Sequence, residues 1–252
     1  IGSDAMALAP LSEKITYLEE GDCAVITSAG VTVKDAEGQN VVRPVQETAL
    51  SGALTGKAGY KHFMLKEIYE QPQVIGDTLH SFVNLSEKTI TLPKLPIDFT
   101  AIPKITIAAC GTAYYAGLIA KYWFEKVARV SVEVDIASEF RYRELMMPKG
   151  GLAILISQSG ETADTLAALR YCREQGQKIL SIINVPESTI ARESDAVLPT
   201  YAGPEIGVAS TKAFTTQLTV LATLAIVLAR ARGAIEAERE SELVEALIEL
   251  PA

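Results

Sequence analysis

The chain has 252 residues, of which 48% are hydrophobic and 21% are charged, and this composition can fill one sizeable core plus a smaller companion piece. Its formal net charge of -8 argues against a nucleic acid or a membrane surface as a partner, because either would require clustered lysine and arginine. Any anion that the chain binds must therefore be held by local groups.

The N-terminal part of the chain alternates apolar and polar side chains. Residues 14–45 show this period, with glycine-containing turns at residues 21–22, 29–30 and 37–38. The pattern predicts a small set of antiparallel strands. Because too few residues are present for an independent sheet, we expect this piece to belong to a larger β-containing domain or to pack on the next part of the chain.

A change of pattern comes after this region. The stretch from Gln46 to about Lys61 is polar and rich in glycine, which predicts a linker between domains. Helical spacing then appears in Phe63–Tyr69 and again in Val74–Leu85, before the proline-punctuated stretch Leu92–Pro103. A second domain is therefore expected after the linker.

The rest of the chain alternates short apolar runs with amphipathic helical segments. The predicted strands are Ile105–Ala109, Val130–Ile136, Leu152–Ile156, Ile179–Val185 and Ala196–Leu198. The predicted helices are Tyr114–Ala128, Ser138–Leu145, Thr162–Gln175, about Thr189–Glu193 and Lys212–Arg232. Near-continuous apolar strands linked by helices are typical of an α/β fold with a doubly wound, mainly parallel sheet. In such sheets, ligands bind at the carboxyl ends of the strands.

The longest apolar stretch indicates a buried helix. Leu218–Ala229 is interrupted by Thr219 and Thr223 and is too short to span a bilayer, and no signal-peptide pattern opens the chain. The sequence begins at Ile1 rather than at methionine and ends at Pro251-Ala252, so we expect a piece of a longer protein.

The cysteines favour a reducing compartment, which we expect to be the cytoplasm. Cys23, Cys110 and Cys172 are odd in number and widely spaced, so they indicate neither a disulfide framework nor a CxxC metal site. His62 and His80 have no Cys, Asp or Glu at metal-ligand spacing, so a zinc site is not expected.

A loop of small hydroxylic residues comes after the third predicted strand of the second domain. Ser157, Ser159 and Thr162 lie where a buried strand opens into a helix, so hydroxyls and free backbone N–H groups converge at a helix N-terminus. Such a terminus favours phosphate, and Gly160 lets the backbone approach an anion closely. The alternative is that Ser159 or Thr162 merely caps the helix, which explains one hydroxyl but not three in six positions. Glu161 is interpreted as a first-turn acid that stabilises the helix dipole.

A second loop, Cys110-Gly111-Thr112-Ala113, holds the equivalent place after the first strand of the predicted sheet. Its position matches the rim of a ligand site. A nucleophilic role for Cys110 is one hypothesis, but no histidine lies near it in sequence, and a small packing cysteine is the better interpretation.

A third loop, Glu205–Lys212, precedes the last long helix of the predicted sheet domain. Ser210, Thr211 and backbone groups could close over a sugar, and capping of a buried helix explains the same residues equally well. Lys212 is either a phosphate counter-charge or an ordinary first-turn lysine. Arg141 and Arg143 either pair with acids across a subunit contact or are simply solvated at the surface.

Several runs of the sequence resemble a known family. They are Lys66–Pro72, Ala109–Thr112, Ile136–Arg143, Ser157–Thr165 and Glu205–Lys212, and they resemble the first isomerase half of the glutamine-dependent fructose-6-phosphate aminotransferases. The resemblance implies the C-terminal part of a glutaminase domain in residues 1–50, a linker in 51–61, a first SIS (sugar isomerase) domain with N-terminal helices in 62–235, and the start of a helix or linker towards a second SIS domain in 236–252.

The resemblance also implies a binding site. In the family, a glutaminase releases ammonia from glutamine, and the isomerase part converts fructose 6-phosphate to glucosamine 6-phosphate. By analogy, the phosphate would be held by Ser157, Ser159, Thr162 and the Gln158 backbone. The sugar would be held by Thr112, Val208 and Ser210, with backbone around Cys110, Gly111 and Ala209. Asp4 would match a glutamine-binding aspartate, and Ala113 replaces a serine found in some members.

The family's catalytic residues are expected outside this stretch, in the front of the glutaminase, in a second SIS domain and in a neighbouring subunit. The resemblance therefore implies that the chain alone binds a sugar phosphate without completing the reaction, that the parent forms a homodimer, and that no metal or organic cofactor is needed. One alternative is a SIS-type sugar-phosphate sensor, as in some transcriptional regulators. The N-terminal piece disfavours this alternative, because it shows β alternation instead of a basic helix-turn-helix. Another is a fructosamine-phosphate deglycase, which product analysis would distinguish.

Overall fold

The structure, a computed structural model, describes residues 1–2, 8, 11–47 and 56–252. The chain divides into two compact units, Ile1–Gly56 and Lys57–Ala252, which are described separately. Asp4, predicted to contact glutamine, lies outside the described residues. The domain limits inferred from the resemblance stay a prediction.

The first unit contains short antiparallel strands, as the alternation of residues 14–45 predicted. The strands are β1 (Lys14–Thr16), β2 (Cys23–Thr27), β3 (Gly30–Lys34), β4 (Asn40–Val41) and β5 (Val45–Glu47). β1 pairs with β5, and β2, β3 and β4 form a meander. Arg43, between β4 and β5, donates to Asp22 at 2.8 Å and lowers the pKa of that carboxyl to about 2. This ion pair ties the turn before β2 to the segment before β5.

The second unit opens with a long helix that continues through a proline. This helix, α1 (Phe63–His80), contains Pro72, which has no N–H to donate to the Ile68 carbonyl. The side-chain amide of Gln71 donates to that carbonyl instead, at 3.1 Å. The prediction of two separate helical segments, the second reaching Leu85, was therefore wrong.

A small hairpin comes after α1, where the sequence predicted helix to Leu85. β6 (Val83–Asn84) pairs antiparallel with β7 (Thr89–Ile90). The Asn84 side chain accepts the backbone N–H groups of Ser86 (3.1 Å) and Glu87 (3.3 Å) and so builds the turn between the strands. Local side-chain bonding of this kind outcompetes continuation of the helix.

Five parallel strands form the centre of the second unit. They are β8 (Lys104–Ala109), β9 (Ser131–Ile136), β10 (Leu152–Ser157), β11 (Lys178–Ile183) and β12 (Ala196–Pro199), in the order β12-β11-β10-β8-β9. Every neighbouring pair is parallel. The chain leaves β8 towards one edge, and then returns to the other side of β8 and builds outward in the opposite direction. The predicted doubly wound parallel sheet is confirmed.

Helices cover both faces of this sheet. They are α2 (Gly111–Trp123) with a π-helical extension (Phe124–Ala128), α3 (Ala137–Phe140), α4 (Ala163–Glu174), α5 (Thr189–Arg192) and α6 (Lys212–Ala231). The last helix, α7 (Ala237–Ile248), packs on α6 and β7 instead. Apolar residues of α2 and α6 share one buried cluster with the strands, and those of α3, α4 and α5 share another. The helix predicted for Ser138–Leu145 is only the single turn α3, because Glu144 lies in the left-handed region at φ 49°.

The most apolar helix is a core element. Among the described residues, α6 is the one helix that is long and apolar enough to cross a membrane, and 72% of its most apolar stretch is buried inside the unit. That burial agrees with the buried helix expected around Leu218–Ala229.

Candidate functional site

The direction of winding reverses between β8 and β10, which are adjacent in the sheet, with Ala109 opposite Ile156. The two loops that leave the carboxyl ends of these strands therefore start side by side, and their helices pack on opposite faces of the sheet. A crevice opens at such a switch point, and ligands of doubly wound sheets bind there.

A cleft of about 450 Å³ lies at this point. All ten residues expected from the resemblance to bind a sugar phosphate line it: Cys110, Gly111, Thr112, Ser157, Gln158, Ser159, Thr162, Val208, Ala209 and Ser210. They come from three loops that are far apart in sequence. Their role in binding stays a prediction, but the structure does bring them together.

The loop after β10 is held in shape by its own hydroxyls. The Ser157 hydroxyl accepts the Gly160 N–H at 3.0 Å and lies 3.1 Å from the Thr162 hydroxyl, and the Ser159 hydroxyl accepts the Glu161 N–H at 3.2 Å. A hydroxyl that accepts one bond still has its own hydrogen to donate. One hydrogen is shared between Ser157 and Thr162, so the three hydroxyls keep two hydrogens for an anionic oxygen.

The structure contradicts the alternative in which the side chain of Ser159 or Thr162 caps α4. Thr162 is the N-cap residue of α4, yet its side chain makes no capping hydrogen bond to that helix. The carboxylate of Glu161 accepts the Thr189 N–H at 2.7 Å and so stabilises the start of α5. The positive end of the α4 dipole is thus available to an anion in the cleft.

Gly160 is required by both backbone conformation and space. Its φ of 67° is in the left-handed region, and an added Cβ would lie 1.9 Å from the Ser188 hydroxyl oxygen. Glycine at this position therefore lets the loop turn tightly over the residues that precede α5.

The cysteines of the second unit differ in environment. Cys110 is half-buried at the edge of the cleft, and Cys172 is fully buried on the inner face of α4, where burial raises the pKa of its thiol to about 12. Cys172 therefore stays protonated and unreactive at neutral pH. In the part of the chain that the structure describes, no three His, Cys, Asp or Glu side chains form a group that could hold a metal ion.

The helix after the third loop, α6, is capped by an acidic side chain of that loop rather than by serine or threonine. The Glu205 carboxylate accepts the N–H groups of Thr211 (2.8 Å) and Ala213 (3.1 Å) and the Ser210 hydroxyl (2.9 Å). Thr211, the N-cap residue of α6, makes no side-chain capping bond. Capping of α6 by Ser210 or Thr211 was therefore the wrong alternative, and their contact with a sugar stays a prediction.

The choice left open for Lys212 is resolved. Its ammonium group donates to Glu70 of α1 at 2.7 Å, and its side chain is only 4% exposed. A lysine that is buried and paired within the unit is not a counter-charge for a ligand phosphate. Lys212 instead joins α6 to α1.

The two arginines near α3 are paired inside the unit. Arg141 bonds Asp164 at 3.0 Å, while Arg143 bonds Glu133 at 2.9 Å and also contacts Asp135. Both arginines therefore have acidic partners within the unit while staying partly exposed at its surface.

Two cleft residues were missed by the sequence analysis. Thr165 and Gln217 line the cleft and are buried, with 1% and 2% exposure. Within the described residues, the Thr165 hydroxyl and the Gln217 carbonyl oxygen have no hydrogen-bond partner. Thr165 lies three residues after Thr162 on the same helix face, and Gln217 is polar on the buried face of α6. The spacing of Thr165 from Thr162 and the polar Gln217 within an apolar helix could both have been read from the sequence.

Comparison with known proteins identifies relatives of the whole chain. The sequence profile described as SIS domain matches residues 99–227, just over half of the chain. The chain is 57% identical over 251 residues to glutamine–fructose-6-phosphate aminotransferase [isomerizing] of Brucella abortus, and 58% identical over 252 residues to that of Bradyrhizobium diazoefficiens. Each match covers 100% of this chain and 41% of the relative. The chain thus spans about two fifths of the length of these curated relatives.

Solved structures of related proteins also match most of the chain. The C-terminal domain of glucosamine-fructose-6-phosphate aminotransferase from Francisella tularensis is 45% identical with a TM-score of 0.75, and the match covers 78% of this chain and 56% of that one. Glucosamine-6-phosphate deaminase from Thermotoga maritima is 26% identical with a TM-score of 0.58, over 75% of this chain and 54% of that one.

Proposed function

The chain belongs to the SIS domain family, and on this premise we propose that its cleft is the sugar-phosphate-binding half-site of a glutamine-dependent fructose-6-phosphate aminotransferase. The observation that carries the proposal is the convergence of three hydroxyls with an uncapped helix N-terminus at the switch point of the sheet. This arrangement suits a phosphate group.

The chemistry of the cleft supports an anion held without a cationic side chain. None of the described residues that line the cleft carries a positive charge. The phosphate oxygens would accept the two hydrogens that the hydroxyls of Ser157, Ser159 and Thr162 keep and would lie at the positive end of the α4 dipole. The Ser157-to-Thr162 hydrogen bond uses one hydrogen and orients the other hydroxyl hydrogen of the pair for the phosphate.

The sugar would extend from the phosphate towards the other two loops. Thr112 stands at the start of α2, and Val208, Ala209 and Ser210 form the rim before α6. The Ser210 hydroxyl donates to Glu205, so its oxygen is left as an acceptor for a sugar hydroxyl. The unpartnered oxygens of Thr165 and Gln217 add further polar atoms in the same cleft.

The reaction itself is proposed for the parent protein. Support comes from the 57% identity to enzymes named as isomerizing glutamine–fructose-6-phosphate aminotransferases, which holds over 251 residues of this chain. The chain alone would bind fructose 6-phosphate and glucosamine 6-phosphate without interconverting them. Glutamine as the nitrogen donor rests on the relatives' names. A homodimer rests on the family resemblance, and a cytoplasmic location rests on the three free cysteines.

Other reactions on the same kind of substrate are less well supported. The deaminase from Thermotoga maritima shares the fold and acts, by its name, on glucosamine 6-phosphate, but its identity to this chain is 26% against 57% for the aminotransferases. The described part of the first unit forms antiparallel strands rather than a helix-turn-helix, which disfavours a transcriptional sensor of the helix-turn-helix type.

Calorimetric titration of the chain with fructose 6-phosphate, glucosamine 6-phosphate and unphosphorylated fructose tests the proposal. We expect both phosphorylated sugars to bind and fructose to give no measurable heat, because the phosphate contacts provide most of the affinity. Equal binding of fructose, or no binding of either sugar phosphate by the folded chain, would refute a phosphate-dependent half-site here.

A further inference from the structure

The rim of the cleft before α6 is a segment without regular secondary structure. Between Pro199 and Lys212 no helix or strand is formed, and Val208 at the tip is fully exposed. Three residues predicted to contact the sugar, Val208, Ala209 and Ser210, belong to this segment. Their position over the cleft therefore depends on contacts made elsewhere along the segment.

One such contact comes from α1. Glu67 is 2% exposed, and its carboxylate accepts the backbone N–H groups of Ile206 at 2.6 Å and Gly207 at 3.0 Å. A buried carboxylate requires compensation by donors, and two backbone N–H groups from the rim provide it. Glu67 itself does not line the cleft.

Gly207 fits closely against this carboxylate. A Cβ at residue 207 would lie 2.5 Å from a Glu67 carboxylate oxygen and 3.5 Å from the Met64 Cα. Gly207 is not among the residues in the left-handed region, so space rather than backbone conformation calls for glycine here. The rim and α1 are thus in direct contact at this point.

A second contact from α1 fixes the end of the segment. Glu70, one turn after Glu67, pairs with Lys212 at 2.7 Å, where α6 begins. The tip Val208–Ser210 therefore lies between two attachments to the same helix, one at residues 206–207 and one at residue 212. The Ser157–Thr162 loop has no part in either attachment.

We propose that Glu67 is a positioning residue for the sugar: by holding the backbone of Ile206 and Gly207, it sets the rim over the hydroxyl-bearing part of a bound sugar phosphate. The inference rests on the proposed function and deepens it. Glu67 acts through the rim, while the phosphate is held independently by the loop after β10. A change at Glu67 should therefore affect the sugar and not the phosphate.

The test compares two ligands on wild-type chain and on Glu67→Gln: glucosamine 6-phosphate by calorimetry, and inorganic phosphate by the amide shifts of Ser159 and Gly160. We expect the affinity for glucosamine 6-phosphate to fall about tenfold, the order expected when a charged acceptor becomes neutral. Phosphate affinity should stay unchanged. Glu240→Gln is the control for loss of a buried carboxylate away from the rim: Glu240 is 8% exposed and accepts the Ile90 N–H, and it also pairs with Arg230.

Gly207→Ala gives an independent variant in case Glu67→Gln does not fold. Its Cβ would displace the carboxylate from the other side, so we expect the same selective loss of sugar affinity. Equal losses for sugar phosphate and inorganic phosphate, or the same loss in Glu240→Gln, would overturn the positioning role, and so would unchanged affinity in both variants. Failure of the wild-type chain to bind glucosamine 6-phosphate would instead remove the proposed function, and the role of Glu67 with it.

Discussion

Replacement of Ser159 and Thr162 together by alanine is expected to abolish measurable binding of glucosamine 6-phosphate in a calorimetric titration. Each hydroxyl would donate to a charged phosphate oxygen, and such a bond contributes about 1.5–3 kcal/mol. Loss of both corresponds to a fall in affinity of roughly 10²- to 10⁴-fold. The Thr162 hydroxyl bonds only Ser157 among the described residues, and the Ser159 hydroxyl accepts one local N–H, so the fold should remain intact.

Ser86→Ala combined with Thr100→Ala is the matched control for this double variant. These positions carry the same two types of hydroxyl in exposed turns away from the cleft, where they bond Asn84 and Asp98. We expect the control to bind like the wild-type chain. Unchanged binding in the Ser159 and Thr162 variant would mean that these hydroxyls do not hold the phosphate.

Gly160→Ala is expected to destabilise the second unit and to remove ligand binding. The added Cβ would lie 1.9 Å from the Ser188 hydroxyl oxygen and 2.5 Å from its Cβ, and the backbone would keep a φ of 67° that alanine rarely adopts. Strain of this backbone and overpacking together should cost roughly 2–4 kcal/mol. Urea denaturation followed by circular dichroism measures the loss, and titration measures the binding.

Gly176→Ala separates the two causes. Gly176 has a φ of 71°, but a Cβ there would meet nothing within 4 Å. Only the strain of the left-handed backbone should therefore destabilise this variant. We expect Gly176→Ala to lose about 1 kcal/mol and to bind normally. If the two variants were equally destabilised, the contact with Ser188 would not constrain the loop.

The sheet and the position of the cleft could be predicted from the sequence because both depend on local patterns. Residues 152–156 are apolar without interruption, which is typical of a strand buried on both faces, and the structure has β10 there. The hydroxylic loop after this strand lies at its carboxyl end by chain order alone. Chain order also placed Cys110–Ala113 at the end of a strand. It could not show that β8 and β10 are neighbours in the sheet.

Contacts between residues far apart in sequence could not be predicted in this way. Glu67 and Gly207 are separated by 140 residues, and no periodicity links them. The sequence left Lys212 open between a phosphate counter-charge and a first-turn lysine, and only the packing of α1 against α6 reveals its partner Glu70. Proline normally interrupts a helix, and the substitute donor for Ile68 in α1 is a local side-chain bond that the apolar pattern does not indicate.

A crystal structure of the chain with glucosamine 6-phosphate would show whether the phosphate binds in the cleft at the switch point of the sheet. We expect the phosphate at the N-terminus of α4, with its oxygens about 3 Å from the hydroxyls of Ser159 and Thr162 and the sugar turned towards Val208–Ser210. A ligand bound elsewhere, for example in the apolar groove lined by Trp123, Leu218 and Leu247, would contradict it.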